Sequence, residues 1–414
     1  MTELQSMGAR ALSASKILAT ASEHTKNAAL QAISQALLDN MEDILSANKQ
    51  DVDAARAGGM NPSMLDRLTL TGQRVESIAK AVLKVAALPD PVGETLSETT
   101  LPNGLSVQKI RVPMGVIGII YEARPNVTVD SAVLCLKAGS SAFLRGGKET
   151  INSNMALESI MRRAVASVGL PEDCIQLLHD TSRATAQEMM RLRGYIDVLI
   201  PRGGAGLIAS VVENASVPVI ETGTGVCHVY VDADADIEKA VNIIYNAKTQ
   251  RTSVCNAAET LLVHKDIAAD FLPLAQSRLQ EKNVELRCDK KAMKILTNVT
   301  AAEPSDFGRE FLDYILAVKV VDSTDEAIEH ILRHNTKHSD CIVTENKQTA
   351  ARFCAAVDSA VVYVNASTRF TDGEEMGFGA EIGISTQKLH ARGPMGLREI
   401  CSYKYIVRGD GQVR

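Results

Sequence analysis

The chain has 414 residues, of which 45% are hydrophobic and 23% are charged, and its formal net charge is -6. This length accommodates two domains, and the acidic balance argues against a general nucleic-acid binder or a protein of the membrane surface. No apolar run approaches the roughly 20 residues of a membrane-spanning helix, and no basic segment followed by an apolar one marks a signal peptide. The eight cysteines are scattered without a C-x-x-C pair, so we expect free thiols in a reducing cytoplasm and no zinc site.

The N-terminal region, up to about position 90, predicts helices, because apolar side chains recur at three- and four-residue spacing. A β-hairpin is predicted at residues 97–112, since Asn103-Gly104 lies between two alternating segments. The C-terminal segment, residues 396–414, contains a predicted strand at 403–407. Strands with unpaired edges seek partners, so we expect this hairpin and this strand to pair with a neighbouring subunit. A hairpin exposed to solvent is the alternative that the residues leave open.

From position 116 onwards, predicted strands and helices alternate in two successive runs. The strands of the first run fall at 116–120, 142–145, 175–178, 196–200 and 217–220. The second run begins near 229, with strands at 258–263, 315–321, 341–344 and 361–364. Such alternation is typical of open, mostly parallel sheets with helices on both faces, whose ligands bind beyond the carboxyl ends of the strands. We therefore expect an α/β protein with two Rossmann-like domains.

Cys255 is the candidate nucleophile. It lies in a polar turn between a predicted helix at 236–248 and a predicted strand at 258–263, where a thiol is held firmly and still reaches a ligand. Arg251 stands four residues earlier, and a nearby cation favours the reactive thiolate. Most cysteines are small buried hydrophobic residues, and this alternative describes better the five that lie in apolar patterns, namely Cys135, Cys174, Cys227, Cys341 and Cys354.

Two glycine turns follow predicted strands of the first run, and they are Arg145-Gly146-Gly147-Lys148 and Arg202-Gly203-Gly204-Ala205-Gly206. Glycine lets a backbone approach a phosphate, and the start of a following helix favours anions. Neither turn is a complete G-x-G-x-x-G motif, and each taken alone is compatible with a simple turn. Together they indicate a nucleotide, and their cations suit the 2′-phosphate of NADP.

Two carboxylates are candidates for the cofactor side of the site. Glu221 follows the last predicted strand of the first run, where it could orient a cofactor or act as a base. Glu381 belongs to a segment rich in glycine and glutamate that suits a lid or a ribose clamp. An exposed loop carboxylate is the alternative for both residues.

Three of the eight histidines, His330, His334 and His338, lie close together. The first two are four residues apart on a predicted helix, which is the spacing of a metal-binding pair. No glutamate stands next to His330 as in H-E-x-x-H, and His338 falls past the expected helix end. Helix capping or substrate positioning is therefore favoured over a metal site.

The whole chain resembles the γ-glutamyl phosphate reductase family of the aldehyde dehydrogenase superfamily. The stretches that carry the resemblance are Leu144-Arg-Gly-Gly-Lys-Glu149, Gln250-Arg-Thr-Ser-Val-Cys-Asn256 and residues 113–130 and 381–396. The resemblance implies an aldehyde-dehydrogenase-like fold and the NADPH-dependent reduction of L-glutamyl 5-phosphate to glutamate 5-semialdehyde, the second step of proline biosynthesis. It makes Cys255 the nucleophile and places Asn126 near the asparagine that stabilises the oxyanion. Glu221 aligns with the general base of hydrolytic members, which a reaction that displaces phosphate does not need.

The resemblance also implies how the chain is divided. An NADP-binding domain is expected at residues 1–227 together with 371–395, and a catalytic domain at 228–370. Residues 97–112 and 396–414 are expected to form a small β flap for oligomerisation. The implied partners are a small-molecule substrate, further copies of the chain in a dimer or tetramer, and transiently a glutamate 5-kinase.

The substrate of this family carries a phosphate at one end and a carboxylate at the other. Cations such as Arg124 and Arg251 are therefore expected to line the cleft, and the three-histidine segment is the candidate for the distal groups. That segment departs from the family pattern at Asn335, where a small residue is expected. Asparagine tolerates a positive φ, so we expect the turn to be preserved. The nearest rival function is an aldehyde dehydrogenase that oxidises and hydrolyses, and a non-catalytic protein of the same fold is a more distant one.

Overall fold

The computed structural model describes residues 1–414, with the side chains at positions 62 and 63 left undescribed. The helices are α1 (Glu3–Leu18), α2 (Glu23–Asp39), α3 (Met41–Ala57), α4 (Pro62–Leu68), α5 (Gly72–Ala87), α6 (Pro125–Lys137), α7 (Ile151–Ser167), α8 (Arg183–Met190), α9 (Ala205–Asn214), α10 (Ile237–Thr249), α11 (Lys265–Gln280), α12 (Thr324–His334) and α13 (Lys347–Ala356). The strands are β1 (Thr95–Thr100), β2 (Ser106–Pro113), β3 (Val116–Tyr121), β4 (Ser141–Arg145), β5 (Ile175–Leu177), β6 (Val198–Arg202), β7 (Cys227–Val231), β8 (Ala258–His264), β9 (Glu285–Cys288), β10 (Thr300–Ala301), β11 (Ile315–Val321), β12 (Ser339–Val343), β13 (Val361–Val364), β14 (Ile384–Ser385), β15 (Gly393–Pro394) and β16 (Cys401–Arg408).

The five helices that open the chain confirm the predicted helical region. Four of them begin at a polar residue whose side chain accepts a hydrogen bond from the backbone N–H three residues further on, and these caps are Thr2, Ser22, Asn61 and Thr71. Such caps satisfy amide groups that have no partner inside the helix. Through α2 and α5 the region packs on α6 and α7, and it thereby becomes part of the first α/β domain.

The sheet of the first domain has the order β5-β4-β3-β6, and its strands are all parallel. Alternate residues of β3 point to opposite faces. Ile117 and Ile119 pack toward α6 and α7, whereas Val116 and Ile120 pack toward α1 and α8. The continuous apolar run of β3 therefore reflects burial on both faces, as predicted.

The segment at 217–220, predicted as a strand, meets β6 through a single bridge at Val219. Pro218 has no amide hydrogen, which limits the ladder that the segment can form. The chain then crosses to the second domain through residues 221–226. On the way, Thr222 forms an antiparallel bridge with Ser385 of β14.

The sheet of the second domain has the order β10-β9-β11-β8-β7-β12-β13, with every neighbouring pair parallel. Helices α10 and α11 cover one face through residues such as Ile244 and Phe271. Helices α12 and α13 cover the other through Ile331 and Phe353. The strands predicted at 258–263, 315–321, 341–344 and 361–364 correspond to β8, β11, β12 and β13, while β9 and β10 were not predicted.

The chain returns to the first domain after β13. Ile382, Met395 and Ile400 lie in the same hydrophobic cluster as β3 and β4. Both crossings between the domains lie near Cys255. Gly225 of the first crossing packs on the Cys255 carbonyl, and Asn256 donates hydrogen bonds to the carbonyl groups of Arg369 and Thr371 on the return at 3.3 and 2.9 Å.

A three-stranded antiparallel arm, β1-β2-β16, extends from the first domain. The hairpin turn at Asn103-Gly104 is confirmed. The pairing of β16 with β2 of the same chain along its whole length was not predicted. The edges that remain are the outer sides of β1 and β16, where all of β1 is exposed and Tyr405 is 58% exposed. Across the described residues, no helix combines the length and the apolar character that a membrane span requires.

Candidate active site

Cys255 lies in the turn that joins α10 to β8. The side chain of Asp236 caps the start of α10, and β8 is buried up to its last residue, so both elements that flank the turn are fixed. The Cys255 carbonyl accepts a hydrogen bond from Cys227 Sγ at 3.2 Å. Gly225 packs so closely on the same carbonyl that any Cβ would overlap it, and only glycine fits there. The backbone of Cys255 is thus held on two sides, while the residue itself is half-buried.

The Cys255 thiol is in a setting that disfavours its ionised form. Burial raises its pKa to about 11, and the carboxylates of Glu381 and Glu310 add to that shift. The cation that opposes the shift is Arg202, at the end of β6. Arg251, which was expected to lower this pKa, is exposed and is not among the main influences on the thiol, of which Arg202 is the largest cationic one. This favours the protonated thiol at neutral pH, so Cys255 would have to lose its proton to act as a nucleophile.

Five arginines lie around the turn, and they are Arg67, Arg124, Arg202, Arg251 and Arg369. Desolvation lowers the pKa of Arg124, and repulsion from Arg67, Arg202 and Arg251 lowers it further. Burial and Arg251 likewise lower the pKa of Arg369. Throughout the described structure, none of the five forms an ion pair with a carboxylate. Converging cations that repel one another and form no ion pair with a carboxylate suit an anionic ligand.

Asn126 lies in the first turn of α6. Its side-chain amide donates to Asp130 Oδ2 at 2.9 Å, which fixes the orientation of the amide. Burial raises the pKa of Asp130 to about 6, and both the Asn126 hydrogen bond and Arg202 oppose this. Since Arg202 acts on Asp130 and on Cys255, the start of α6 and the catalytic turn lie around the same arginine.

The two glycine turns lie at the carboxyl ends of β4 and β6. In the second turn, a Cβ at Gly203 would lie 2.7 Å from Glu122 Cδ, and the Gly204 N–H donates to Glu122 Oε2 at 3.0 Å. Because α9 begins directly afterwards, its N-terminus already binds a carboxylate, which shows that it suits an anion. In the first turn, Arg145 donates to the Thr181 carbonyl at 2.7 Å, whereas Lys148 is exposed.

A family model for the aldehyde dehydrogenase family matches residues 2–303. The chain belongs to the aldehyde dehydrogenase family. The γ-glutamyl phosphate reductase of Clostridium acetobutylicum is 58% identical over 401 residues, which cover 97% of this chain and 96% of that protein, and that of Listeria innocua is 56% identical over the full length of both. The crystal structure of γ-glutamyl phosphate reductase from Thermotoga maritima matches with a TM-score of 0.98 and 48% identity, covering both chains completely. These matches confirm the predicted family and fold, and membership implies a nicotinamide cofactor.

This aldehyde dehydrogenase brings one of the two predicted carboxylates next to the thiol. Glu381 accepts a hydrogen bond from the Gly373 N–H at 2.9 Å. Burial raises its pKa to about 7, while Arg202 opposes the shift. Glu221 lies half-buried on the segment that crosses between the domains, where its backbone N–H donates to Gln387 Oε1 at 3.0 Å.

The three histidines do not come together in the cleft. His330 is buried, packs at 4.5 Å between ring centroids on His334 and at 5.1 Å on Phe307, and has its pKa lowered by burial. His338 is buried with its Nδ1 2.8 Å from Ser339 Oγ and 3.9 Å from Cys227 Sγ, and burial lowers its pKa to about 4. Among the described residues, no group of three or more histidine, cysteine or carboxylate side chains is arranged to hold a metal ion.

The turn after α12 also differs from its prediction. Asn335 has a φ of -73° and ends the helix, so it does not adopt the positive φ that was expected. Its side chain donates instead to Asp340 Oδ2 and to Ser359 Oγ, each at 2.9 Å. The residue with positive φ is Lys337.

The sequence did not single out three residues of this site. Arg369 follows β13 as Arg202 follows β6, so the rule that ligands bind at the carboxyl ends of strands would have found it. Arg67 reaches the turn from α4 and donates to the Ser253 carbonyl at 3.3 Å, and no local pattern marks it. Glu310 lies in an irregular segment without a recognisable motif.

Proposed function

We propose that this chain reduces L-glutamyl 5-phosphate to L-glutamate 5-semialdehyde and phosphate with NADPH, as the second step of proline biosynthesis from glutamate. The observation that carries the proposal is a half-buried thiol near five arginines that form no ion pair with a carboxylate. A substrate with a phosphate at one end and a carboxylate at the other carries negative charge at both of its ends, which these arginines can bind. The full-length similarity to γ-glutamyl phosphate reductases supports this substrate.

In the first step, Cys255 Sγ attacks the acyl carbon. The S–C bond forms, the C–O bond to phosphate breaks, and the thiol proton leaves with the phosphate as hydrogen phosphate. Arg202, the cation that acts most on Cys255, stabilises the thiolate as it forms. Arg124 and Arg251 are the candidates for the phosphate, and Arg67 and Arg369 add positive charge to the same cleft.

The oxyanion that develops on the acyl oxygen needs donors that are already in place. The Cys255 backbone N–H is one candidate. Asn126 is the other, because an amide group has two N–H donors and Asp130 engages one of them. Asp130 then keeps the second directed to a fixed position.

The residues that would hold the cofactor are the two glycine turns with Lys148 and Arg145, together with Glu381, which acts on the thiol, and Glu221 on the crossing segment. When bound, a nicotinamide dinucleotide supplies the hydride that reduces the thioester. The thiohemiacetal on Cys255 then collapses to the aldehyde and releases the sulfur. NADP is proposed over NAD because Lys148 is an exposed cation beside a glycine turn, free to pair with a 2′-phosphate. Arg202 faces the thiol and is not needed for that role.

We also propose a cytoplasmic dimer or tetramer that is assembled through the outer edges of β1 and β16. A free edge carries unpaired N–H and C=O groups that a second copy can satisfy. A transient complex with a glutamate 5-kinase would suit a substrate whose acyl phosphate hydrolyses readily in water. The domain roles proposed are cofactor binding for residues 1–227 with 371–395, and catalysis for 228–370.

The test is the reverse reaction, measured as NADPH formation from glutamate 5-semialdehyde and NADP. We expect formation only when phosphate or arsenate is supplied, and none with Cys255→Ser. NADPH formation at full rate without either anion would indicate a hydrolytic aldehyde dehydrogenase and would overturn the proposal.

A further inference from the structure

A completely buried ion pair flanks the catalytic turn. Lys248 lies in the last turn of α10 and Glu259 is the second residue of β8, and Nζ lies 2.7 Å from Oε2 with both side chains 0% exposed. Burial raises the pKa of Glu259 to about 7, and Lys248 opposes that shift. A buried pair is weak evidence for stability, because desolvation offsets most of the attraction. Its significance therefore depends on what else it contacts.

The second oxygen of Glu259 extends the contact to a loop. Glu259 Oε1 accepts a hydrogen bond from the Leu312 N–H at 3.3 Å. Leu312 has a φ of +56°, a left-handed conformation that is unfavourable for a residue with a Cβ. The neighbouring Phe311 ring lies 5.3 Å from the Arg287 guanidinium and 6.0 Å from Lys248 Nζ. The hydrogen bond from Glu259 thus supports the unfavourable backbone conformation of Leu312.

That loop presents Glu310 to the segment that crosses between the domains. Glu310 Oε1 accepts a hydrogen bond from the Gly225 N–H at 2.8 Å, and Gly225 packs directly on the Cys255 carbonyl. Lys248 and Glu259 lie at the two ends of the catalytic turn. Through Leu312, Glu310 and Gly225, their contacts lead back to Cys255 in the middle of the turn. We call Lys248, Glu259, Leu312 and Glu310 the brace.

We propose that Lys248, Glu259 and Glu310 are positioning residues, which hold Gly225 against the Cys255 backbone and so fix the sulfur for attack. The inference rests on the proposed function only in taking Cys255 as the nucleophile. The rate of attack depends steeply on the position of the reacting atoms, since a displacement of about 1 Å can reduce it by roughly a hundredfold. A brace that acts on position requires an acceptor at Glu310 but not its negative charge.

The experiment compares Glu310→Ala with Glu310→Gln, because glutamine retains a side-chain oxygen that accepts from the Gly225 N–H. We expect Glu310→Ala to lower kcat about 10- to 100-fold, with KM within twofold, and Glu310→Gln to restore most of the turnover. Glu345→Ala, which removes an exposed pair with Lys239 in the same domain, is the matched control and leaves kcat unchanged. Equal losses in both Glu310 variants would show that charge matters and would overturn the proposal, as would an unchanged kcat in Glu310→Ala.

The buried pair is tested by the double variant Lys248→Met with Glu259→Met, which leaves no unpaired buried charge. We expect it to fold, as judged by its melting temperature, and to lose kcat as Glu310→Ala does. If the single variant Lys248→Met fails to fold, the double variant still decides the question. Wild-type kcat in the folded double variant would overturn the role of the pair. Activity retained by Cys255→Ser would refute the proposed function itself, which keeps the two failures distinct.

Discussion

Replacing Arg202 by glutamine tests the electrostatics of the nucleophile. The pKa of Cys255 is about 11, so roughly one thiol in a thousand is ionised at pH 8. Arg202 is the largest influence that opposes the effect of burial. A charge-assisted interaction is worth about 1.5–3 kcal/mol, so its loss reduces the thiolate fraction roughly ten- to hundredfold.

The assay is the rate at which iodoacetamide alkylates Cys255 between pH 7 and 9. The product must be followed by mass spectrometry of the peptide that contains Cys255, because Cys354 is also exposed. We expect Arg202→Gln to slow alkylation about ten- to hundredfold. In both proteins the rate should rise about tenfold for each pH increase of one, because the thiolate reacts and the pKa lies above this range.

Arg251→Gln is the matched control, since Arg251 lies on the catalytic turn but is exposed. Its alkylation rate is expected to stay within twofold of wild type. The reasoning would be refuted if Arg202→Gln reacted as fast as wild type, or if Arg251→Gln were slowed as much as Arg202→Gln. The first result would mean that Arg202 does not govern the ionisation of the thiol, and the second that the arginine nearest in sequence contributes as much.

Four further predictions follow from the site and the arm. Cys255→Ser should abolish turnover while NADPH binding, measured by fluorescence titration, stays near wild type. Glu381 has a folded pKa of about 7 against an ordinary 4.5, so its ionisation opposes folding above pH 7. Glu381→Gln should therefore raise the urea midpoint at pH 8 and leave it unchanged near pH 4. Lys148→Ala should lower kcat/KM for NADPH about ten- to hundredfold and leave NADH kinetics nearly constant, whereas equal losses would contradict the 2′-phosphate contact. Tyr405→Asp, on the outer edge of β16, should reduce the assembly mass in light scattering, and a wild-type monomer at micromolar concentration would refute the edge interface.

Local sequence patterns predicted most of the helices and strands of the fold. The predicted strand at 315–321 coincides with β11, and the helix predicted at 236–248 is observed at Ile237–Thr249 with Asp236 as its cap. Both succeed because periodicity and capping depend on neighbouring residues. β9 and β10 were missed because they are short and half-exposed, so they lack the apolar run that marks β11.

The site was less predictable, because it depends on contacts between distant segments. Spacing places His330 and His334 on one helix face but does not reveal whether that face meets solvent or the core. Arg251 was favoured for the thiol through proximity in sequence, whereas Arg202 arrives from another domain. The pairing of β16 with β2 joins segments almost 300 residues apart, a distance at which local pattern gives no register.

The cleft that contains the five arginines affects the rates of substrate capture and product release. The net charge of -6 repels anions from the protein as a whole. The cleft therefore attracts a polyanion only within about a Debye length, ~8 Å at physiological salt. A cleft that captures an acyl phosphate also retains the inorganic phosphate that the reaction leaves behind. Added salt should therefore slow capture, which lowers kcat/KM, and speed phosphate departure, which raises kcat wherever product release limits turnover. The same five charges thus assist the entry of the acyl phosphate and hinder the exit of inorganic phosphate.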